Sequence, residues 1–253
     1  MDRSLEGKVA IISGSDSGIG AQIARDLSIV GATVIINYPY HSLAERASAL
    51  VASLPTASLA VQADLSTITG PQTLIDAAVA AYGKIDILIN NAGIAVNLPF
   101  EQQTLEHWDK LVNLNCRGTF LLTQAALPHL ALQDGRIVNI CSISARDAPP
   151  MQTIYAGTKG MVDSMTRVWA KELPPKYHCT VNSVSPGPTR TDGFEAAGDE
   201  MMKLLRPVIE GTPVGARLAE THEISYAVLM LCLPRASWLN GVHLIACGGL
   251  FMQ

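Results

Sequence analysis

Five cysteines are present among 253 residues, and Cys116, Cys141, Cys179, Cys232 and Cys247 lie scattered. No two form a C-x-x-C pair and no His/Cys cluster has zinc-like spacing, so no metal site is expected. Buried free thiols in a reducing compartment are the expectation. Positive charge is also scarce. Lys and Arg number 18 against 22 Asp and Glu, a net charge of −4. Without a basic stripe, nucleic acid and anionic membranes are not expected partners. No apolar run reaches the ~18 residues of a membrane span. Met1-Asp2-Arg3-Ser4 runs through Leu5-Glu6-Gly7-Lys8 into a strand, leaving no room for a signal peptide, so a cytoplasmic location is expected. Tandem repeats and low-complexity tracts are lacking too.

What remains is an apolar chain, 48% hydrophobic and 16% charged, long enough to bury a large core as one domain over residues 1–253. Short apolar runs alternate with helical patterns. Strands are expected at Val9–Ser13, Thr33–Asn37, Leu59–Ala63, Ile85–Asn90, Arg136–Ile140, Thr180–Ser185 and Val242–Ala246. Helices are expected at Ile19–Val30, Ser42–Leu54, Pro71–Tyr82, Glu106–Leu127 and from before Tyr155 to Leu173. Continuous apolar strands between helices predict an α/β fold, a doubly wound, seven-stranded parallel sheet covered on both faces. The stretch Pro188–Pro213 shows no strand and carries the amphipathic piece Met201-Met202-Lys203-Leu204-Leu205. Because it follows the sixth strand, on the ligand side of such sheets, it is expected to form a lid over substrate.

Two local patterns point to chemistry. The run Ser13-Gly14-Ser15-Asp16-Ser17-Gly18-Ile19-Gly20 sits between a strand and a helix, where glycines permit a tight turn and close approach of backbone to a pyrophosphate. Tyr155 and Lys159 stand four apart and share one helix face, with Ser142 thirteen positions before Tyr155. A tyrosine of pKa near ~10 is a poor acid or base at neutral pH, and a neighbouring cation favours its phenolate. That pairing suits proton transfer to or from a carbonyl oxygen.

These residues, with Asn90-Asn91-Ala92-Gly93, Asn115, Pro186-Gly187 and Thr191, resemble the short-chain dehydrogenase/reductase family over essentially the whole chain. The resemblance implies a Rossmann-like fold and a catalytic set of Asn115, Ser142, Tyr155 and Lys159. Ser144 and Asn113 compete with Ser142 and Asn115, and the thirteen-residue step and the register after Trp108 select the latter pair by resemblance. It further implies cofactor contacts from Gly14, Ser17, Gly18, Ile19, Gly20, Asn91, Ala92, Gly93, Tyr155, Lys159, Pro186, Gly187 and Thr189. Asp64 would meet the adenine amino group and Thr191 the nicotinamide carboxamide.

An acid ending the second strand would favour NAD by gripping the ribose 2′-hydroxyl. Here the strand ends Ile36-Asn37-Tyr38-Pro39-Tyr40-His41-Ser42 without one. Asn37, Tyr38 and Ser42 are therefore expected around a 2′-phosphate, with His41 or Arg46 adding charge, so NADP(H) is favoured over NAD(H). Against this, Ser17 stands where many NADP-using relatives carry Arg or Lys, with Asp16 beside it. Ile94, Val96, Phe194 and Met201, with Ser142 at the reacting oxygen, predict a pocket for a hydrophobic, cyclic or aromatic ketone or its alcohol. The Asn-Tyr strand end and Leu114-Asn115-Cys116-Arg117-Gly118 resemble fungal reductases of polyketide naphthols and steroids, enzymes of secondary metabolism. The apolar tail Leu250-Phe251-Met252-Gln253 would cover a neighbouring subunit's site, and Arg146 with Asp147 would form a salt-linked loop. Surplus apolar residues on the helices at 106–127 and 153–173 predict a homodimer or homotetramer. The alternatives are a non-redox cyclase or isomerase that keeps bound NADP as scaffold, and a non-catalytic cofactor sensor.

Overall fold

The computed structural model of the chain describes residues 3–195 and 198–252. Its strands are Val9–Ile12 (β1), Thr33–Tyr38 (β2), Leu59–Gln62 (β3), Ile87–Asn90 (β4), Gly135–Ile140 (β5), Cys179–Pro186 (β6) and His243–Ala246 (β7). They form one parallel sheet in the order β3-β2-β1-β4-β5-β6-β7. The order reverses direction between β1 and β4, and that crevice beyond the strand C-termini is where such sheets bind ligands.

Helices cover both faces: Gly18–Ile29 (α1), Ala44–Ser53 (α2), Gly70–Tyr82 (α3), Leu105–Leu111 (α4), Thr119–Ala126 (α5), Ser144–Asp147 (α6), Thr153–Glu172 (α7), Pro174–Tyr177 (α8), Asp192–Glu195 (α9), Gly198–Glu210 (α10) and Thr221–Cys232 (α11). Two-residue periodicity explains the continuous apolar strands. In β1, Ala10 and Ile12 join one core layer with Ile23, Leu27 and Val228. Val9 and Ile11 join the other with Leu74, Ile75 and Leu122.

Three features depart from the sequence expectations. The helix expected over Glu106–Leu127 is broken by a π-helical segment, Val112–Gly118, between α4 and α5. Thr119 Oγ1 donates to the Asn115 carbonyl there (2.8 Å), and such wide turns recur at functional sites. Helix α11 has no counterpart in the sequence reading, although its buried Ile224, Ala227, Val228 and Leu231 follow helical spacing. Finally, the segment after β6 is mostly helical, and its neck is closed by backbone hydrogen bonds, Arg190 N to Ala219 O (2.8 Å) and Ala219 N to Pro188 O (2.9 Å). Val214 N donates to Gly248 O (3.0 Å), pinning the returning end to the C-terminal turn.

Candidate active site

The turn from β1 into α1 is held open for a ligand's backbone by a few contacts. Gly14 has a left-handed φ of 57°, and a Cβ on it would stand 2.9 Å from Ala92 Cα. A side chain there is excluded both by conformation and by space. Across the turn, Ser13 Oγ accepts from the amides of Asn91 (2.9 Å) and Ala92 (3.0 Å). Asn91 Nδ2 returns bonds to the carbonyls of Ser13 (2.9 Å) and Gly14 (2.8 Å). The ends of β1 and β4 are thereby locked together, leaving a cradle lined by main chain that fits a dinucleotide pyrophosphate.

The residues expected to transfer a proton lie beyond the ends of β4 and β5. Lys159 is buried and its Nζ donates to the Ile140 carbonyl at the end of β5 (2.9 Å). That ammonium sits 5.9 Å from the centroid of the half-buried Tyr155 ring. Asn115, 1% exposed, donates Nδ2 to the Ile94 carbonyl (2.9 Å) and to Thr158 Oγ1 (3.1 Å). Its Oδ1 accepts from Ile94 N (3.0 Å), leaving one acceptor position on that oxygen. Asn115 Oδ1 and Lys159 Nζ each lie 3.3 Å from the point where a Cβ on Gly93 would stand. Gly93 therefore lets two polar ends converge. Ser142 is buried at the start of the turn after β5, where its Oγ accepts from Ser144 N (3.1 Å). Ser142, Tyr155 and Lys159 thus stand on one loop and one helix that pack together, and the π-helical turn brings Asn115 to them.

A family model described as enoyl-(acyl carrier protein) reductase matches residues 14–251. A short-chain dehydrogenase/reductase, FrzI, of Cladobotryum sp is 38% identical over 98% of this chain and 97% of its own. The chain belongs to the short-chain dehydrogenase/reductase family. The hydroxynaphthalene reductase-like protein Arp2 of Metarhizium robertsii is 33% identical over 98% of this chain and 96% of its own. Among solved structures, a short chain dehydrogenase from Burkholderia cenocepacia in complex with NADP superimposes with a TM-score of 0.88 at 33% identity, covering 98% and 99% of the two chains. The chain is accordingly an oxidoreductase built for a nicotinamide cofactor.

Within this short-chain dehydrogenase/reductase frame, most of the residues expected to contact a cofactor stand at or just beyond the C-terminal ends of the strands. Pro186 ends β6 and Gly187 follows it, and Thr189 Oγ1 donates to the Gly187 carbonyl (2.9 Å). Thr191 Oγ1 accepts from Phe194 N (3.1 Å), and Ser17 and Ile19 flank Gly18 at the start of α1. Asp64 accepts from Ser66 N (2.9 Å) and Oγ (2.7 Å) through Oδ1 alone, leaving Oδ2 for an outside donor. Tyr38 and Ser42 flank the β2 terminus, the latter exposed. Asn37 is different, because its side chain is buried and turned into the sheet. Oδ1 accepts from Gly14 N (3.0 Å), and Nδ2 donates to the carbonyls of Ala63 (3.0 Å) and Val61 (3.4 Å). Its amide props the glycine turn and is spent on main chain, which corrects the expectation that it meets a phosphate.

Ile94 and Val96 are half-buried on the loop after β4, and Phe194 is half-buried in α9. The Met201 side chain lies outside the described residues. The tail folds on its own chain, where Phe251 N donates to Cys247 Sγ (3.2 Å) and Leu250 N to the Cys247 carbonyl (3.2 Å). Arg146 pairs with Asp163 of α7, Nε to Oδ2 and Nη2 to Oδ1 both at 3.0 Å, which links its loop by a salt bridge to the helix. This bidentate pair ties the turn carrying Ser142 to the helix carrying Tyr155 and Lys159.

Sequence reading missed Gln103. Its Nε2 donates to the carbonyls of Leu98 (2.8 Å) and Met151 (3.4 Å), and its Oε1 accepts from Ile154 N (3.1 Å). One amide thus fastens the loop after β4 to the first turn of α7, one residue before Tyr155. Met151 has a left-handed φ of 66°, and Leu98 N also donates to its carbonyl (3.0 Å). Bonds to main chain about fifty positions away leave no pattern in a sequence. Among the described residues, no cluster of His, Cys, Asp and Glu could hold a metal, and no helix is long and apolar enough to cross a membrane.

Proposed function

We propose that the chain is an NADP(H)-dependent carbonyl reductase or alcohol dehydrogenase acting on a hydrophobic, cyclic or aromatic ketone or its secondary alcohol. The observation that carries this reading is the convergence of Asn115, Lys159 and the Tyr155 ring at the open ends of β4 and β5, beside a main-chain cradle. Gly14, Ser17, Gly18, Ile19 and Gly20 would hold the cofactor's pyrophosphate. Asp64, Asn91, Ala92 and Gly93 would border its adenosine, and Pro186, Gly187, Thr189 and Thr191 its nicotinamide. When bound, the nicotinamide supplies or accepts the hydride. Tyr155 gives its phenolic proton to the carbonyl oxygen in reduction and takes it back in oxidation. Ser142 donates a hydrogen bond to the same oxygen as charge develops on it. Lys159 would hold the ribose hydroxyls, its ammonium 5.9 Å from the centroid of the Tyr155 ring. Asn115 keeps one acceptor position for a water that returns the proton from solvent toward Lys159.

The substrate class is supported by the apolar Ile94, Val96 and Phe194 near the cleft, and by the name of the Metarhizium relative, which refers to hydroxynaphthalene reduction. Residues 188–213 would close over the substrate as a lid, since both ends of the excursion are tied down while α9 and α10 between them carry its span. Exposed Trp108, Phe120, Met161 and Val168 form an apolar face on the α4–α5 and α7 layer that suits pairing into a homodimer or homotetramer. The five cysteines, all free and buried, suit a cytoplasmic setting. Tyr155→Phe tests the chemistry. It should lower ketone reduction by about 10²–10⁴-fold while NADPH still binds; unchanged turnover would overturn the role.

A further inference from the structure

Asp16 is an unexpected residue in a loop that receives a pyrophosphate. It lies in the turn from β1 to α1 with its side chain only 7% exposed, and a carboxylate there repels phosphate charge. Its partner is Arg46, which reaches from the first turn of α2 and donates Nη2 to Asp16 Oδ2. The other terminal nitrogen, Nη1, faces Asp192 Oδ2 at 3.7 Å, an ion pair too long for a hydrogen bond. Asp192 is 69% exposed and opens α9 directly after Thr191. Thr191 itself rests against the glycine turn, its Cβ 3.4 Å from where a Cβ on Gly18 would stand. Arg46 therefore links α2, the glycine turn and the base of the segment after β6. One end of its guanidinium is committed to a buried carboxylate, and the other meets only a loose, solvent-exposed one.

In this fold the adenosine ribose lies between the end of the second strand and the glycine turn. Arg46 spans that gap, starting on α2 and ending on Asp16. Ser42 precedes it by four residues in the adjoining helical turn, so both stand on the same side. The geometry points to Arg46 as the residue that selects the phosphorylated cofactor. One end of the guanidinium cancels Asp16, and the other takes the 2′-phosphate in exchange for Asp192. A planar fork of N–H groups suits phosphate oxygens, whereas an exposed pair such as Arg46–Asp192 contributes little and is readily displaced. NADPH would thus free Asp192 at the base of the lid, and NADH would leave it tied. The inference rests on the NADP(H) reading above and deepens it.

Arg46→Met alone leaves Asp16 uncompensated and should weaken both cofactors, so the decisive protein is Asp16→Asn/Arg46→Met. Binding of NADPH and NADH to wild type, each single variant and the double variant is read from the fluorescence of the reduced nicotinamide, without turnover. In the double variant NADH affinity should return to within about twofold of wild type, while NADPH stays weaker by about tenfold or more. Equal recovery of both cofactors would show that Arg46 only cancels Asp16, and equal loss of both would show that it only holds the fold; either overturns the assignment. Wild-type protein that binds NADH more tightly than NADPH would overturn the cofactor reading beneath it. A wild-type preference for NADPH that survives in the double variant would overturn the role of Arg46 alone.

Discussion

On the Tyr155 side of the cleft, the polar side chains that shape the site bond mostly to buried partners. Asn115 ties to Ile94 and Thr158, Lys159 to the end of β5, and Arg146 to Asp163. On the side of the glycine turn the pairs are more exposed: Arg46, bound at one end to buried Asp16, meets Asp192 at the other in an exposed pair, and Arg190 meets Glu220 with both side chains more than two-fifths exposed. Buried, mutually satisfied networks hold one geometry, while exposed pairs exchange partners at little cost. On the proposed reading, proton transfer, which needs fixed distances, would belong to the first wall. Binding and release, which need an exchangeable rim, fall to the second.

Breaking the rigid wall should cost most. Asp163→Ala removes the acceptor for Arg146 inside a buried pair and is expected to destabilise the protein by about 3 kcal/mol, read by denaturant unfolding. A loss no larger than that of a surface substitution would mean the wall owes its rigidity to other contacts. Gln103→Ala sharpens the comparison further, since it frees the start of α7 without touching the cofactor cradle. We expect kcat to fall about tenfold with NADPH affinity unchanged, and a parallel loss of cofactor binding would show that the two walls are not separable.

The smallest expected effect is pH dependence at the edge of the network. His243 of β7 approaches Asp163 through Nδ1 (2.9 Å). Burial first, and Arg146 second, hold its pKa below the usual histidine value despite Asp163. The native state therefore favours neutral imidazole. That contribution is fully present above about pH 6.5, the unfolded value, and is lost as pH falls through the lower folded value. Melting temperature should drop between pH 7 and 5 in wild type, and drop less in His243→Gln. Identical slopes would remove His243 from the network.

The sheet was legible because strands buried on both faces must be apolar throughout, as Ile11-Ile12 and Ile35-Ile36 are. That Tyr155 and Lys159 share one helix face was legible from their spacing, and the resemblance pointed to Ser142 and Asn115 beside them. Other features were not. Asn37 looked like a phosphate ligand by position, yet the amide of Gly14 and the carbonyls of Val61 and Ala63 claim it. Gln103 and the Arg146–Asp163 pair join elements distant in the chain, and no local pattern announces such contacts. The π-helical turn at Asn115 leaves no pattern in the sequence, and α11 went unassigned although its apolar spacing was present.

The most direct measurement follows reduced-nicotinamide absorbance in wild type and Tyr155→Phe with NADPH or NADH, against bulky cyclic and aromatic ketones, quinones and acyl-thioester ketones. The account predicts NADPH consumption with at least one apolar ketone class, slower with NADH and nearly abolished in Tyr155→Phe. Bound NADPH that no carbonyl in the panel oxidises would contradict it.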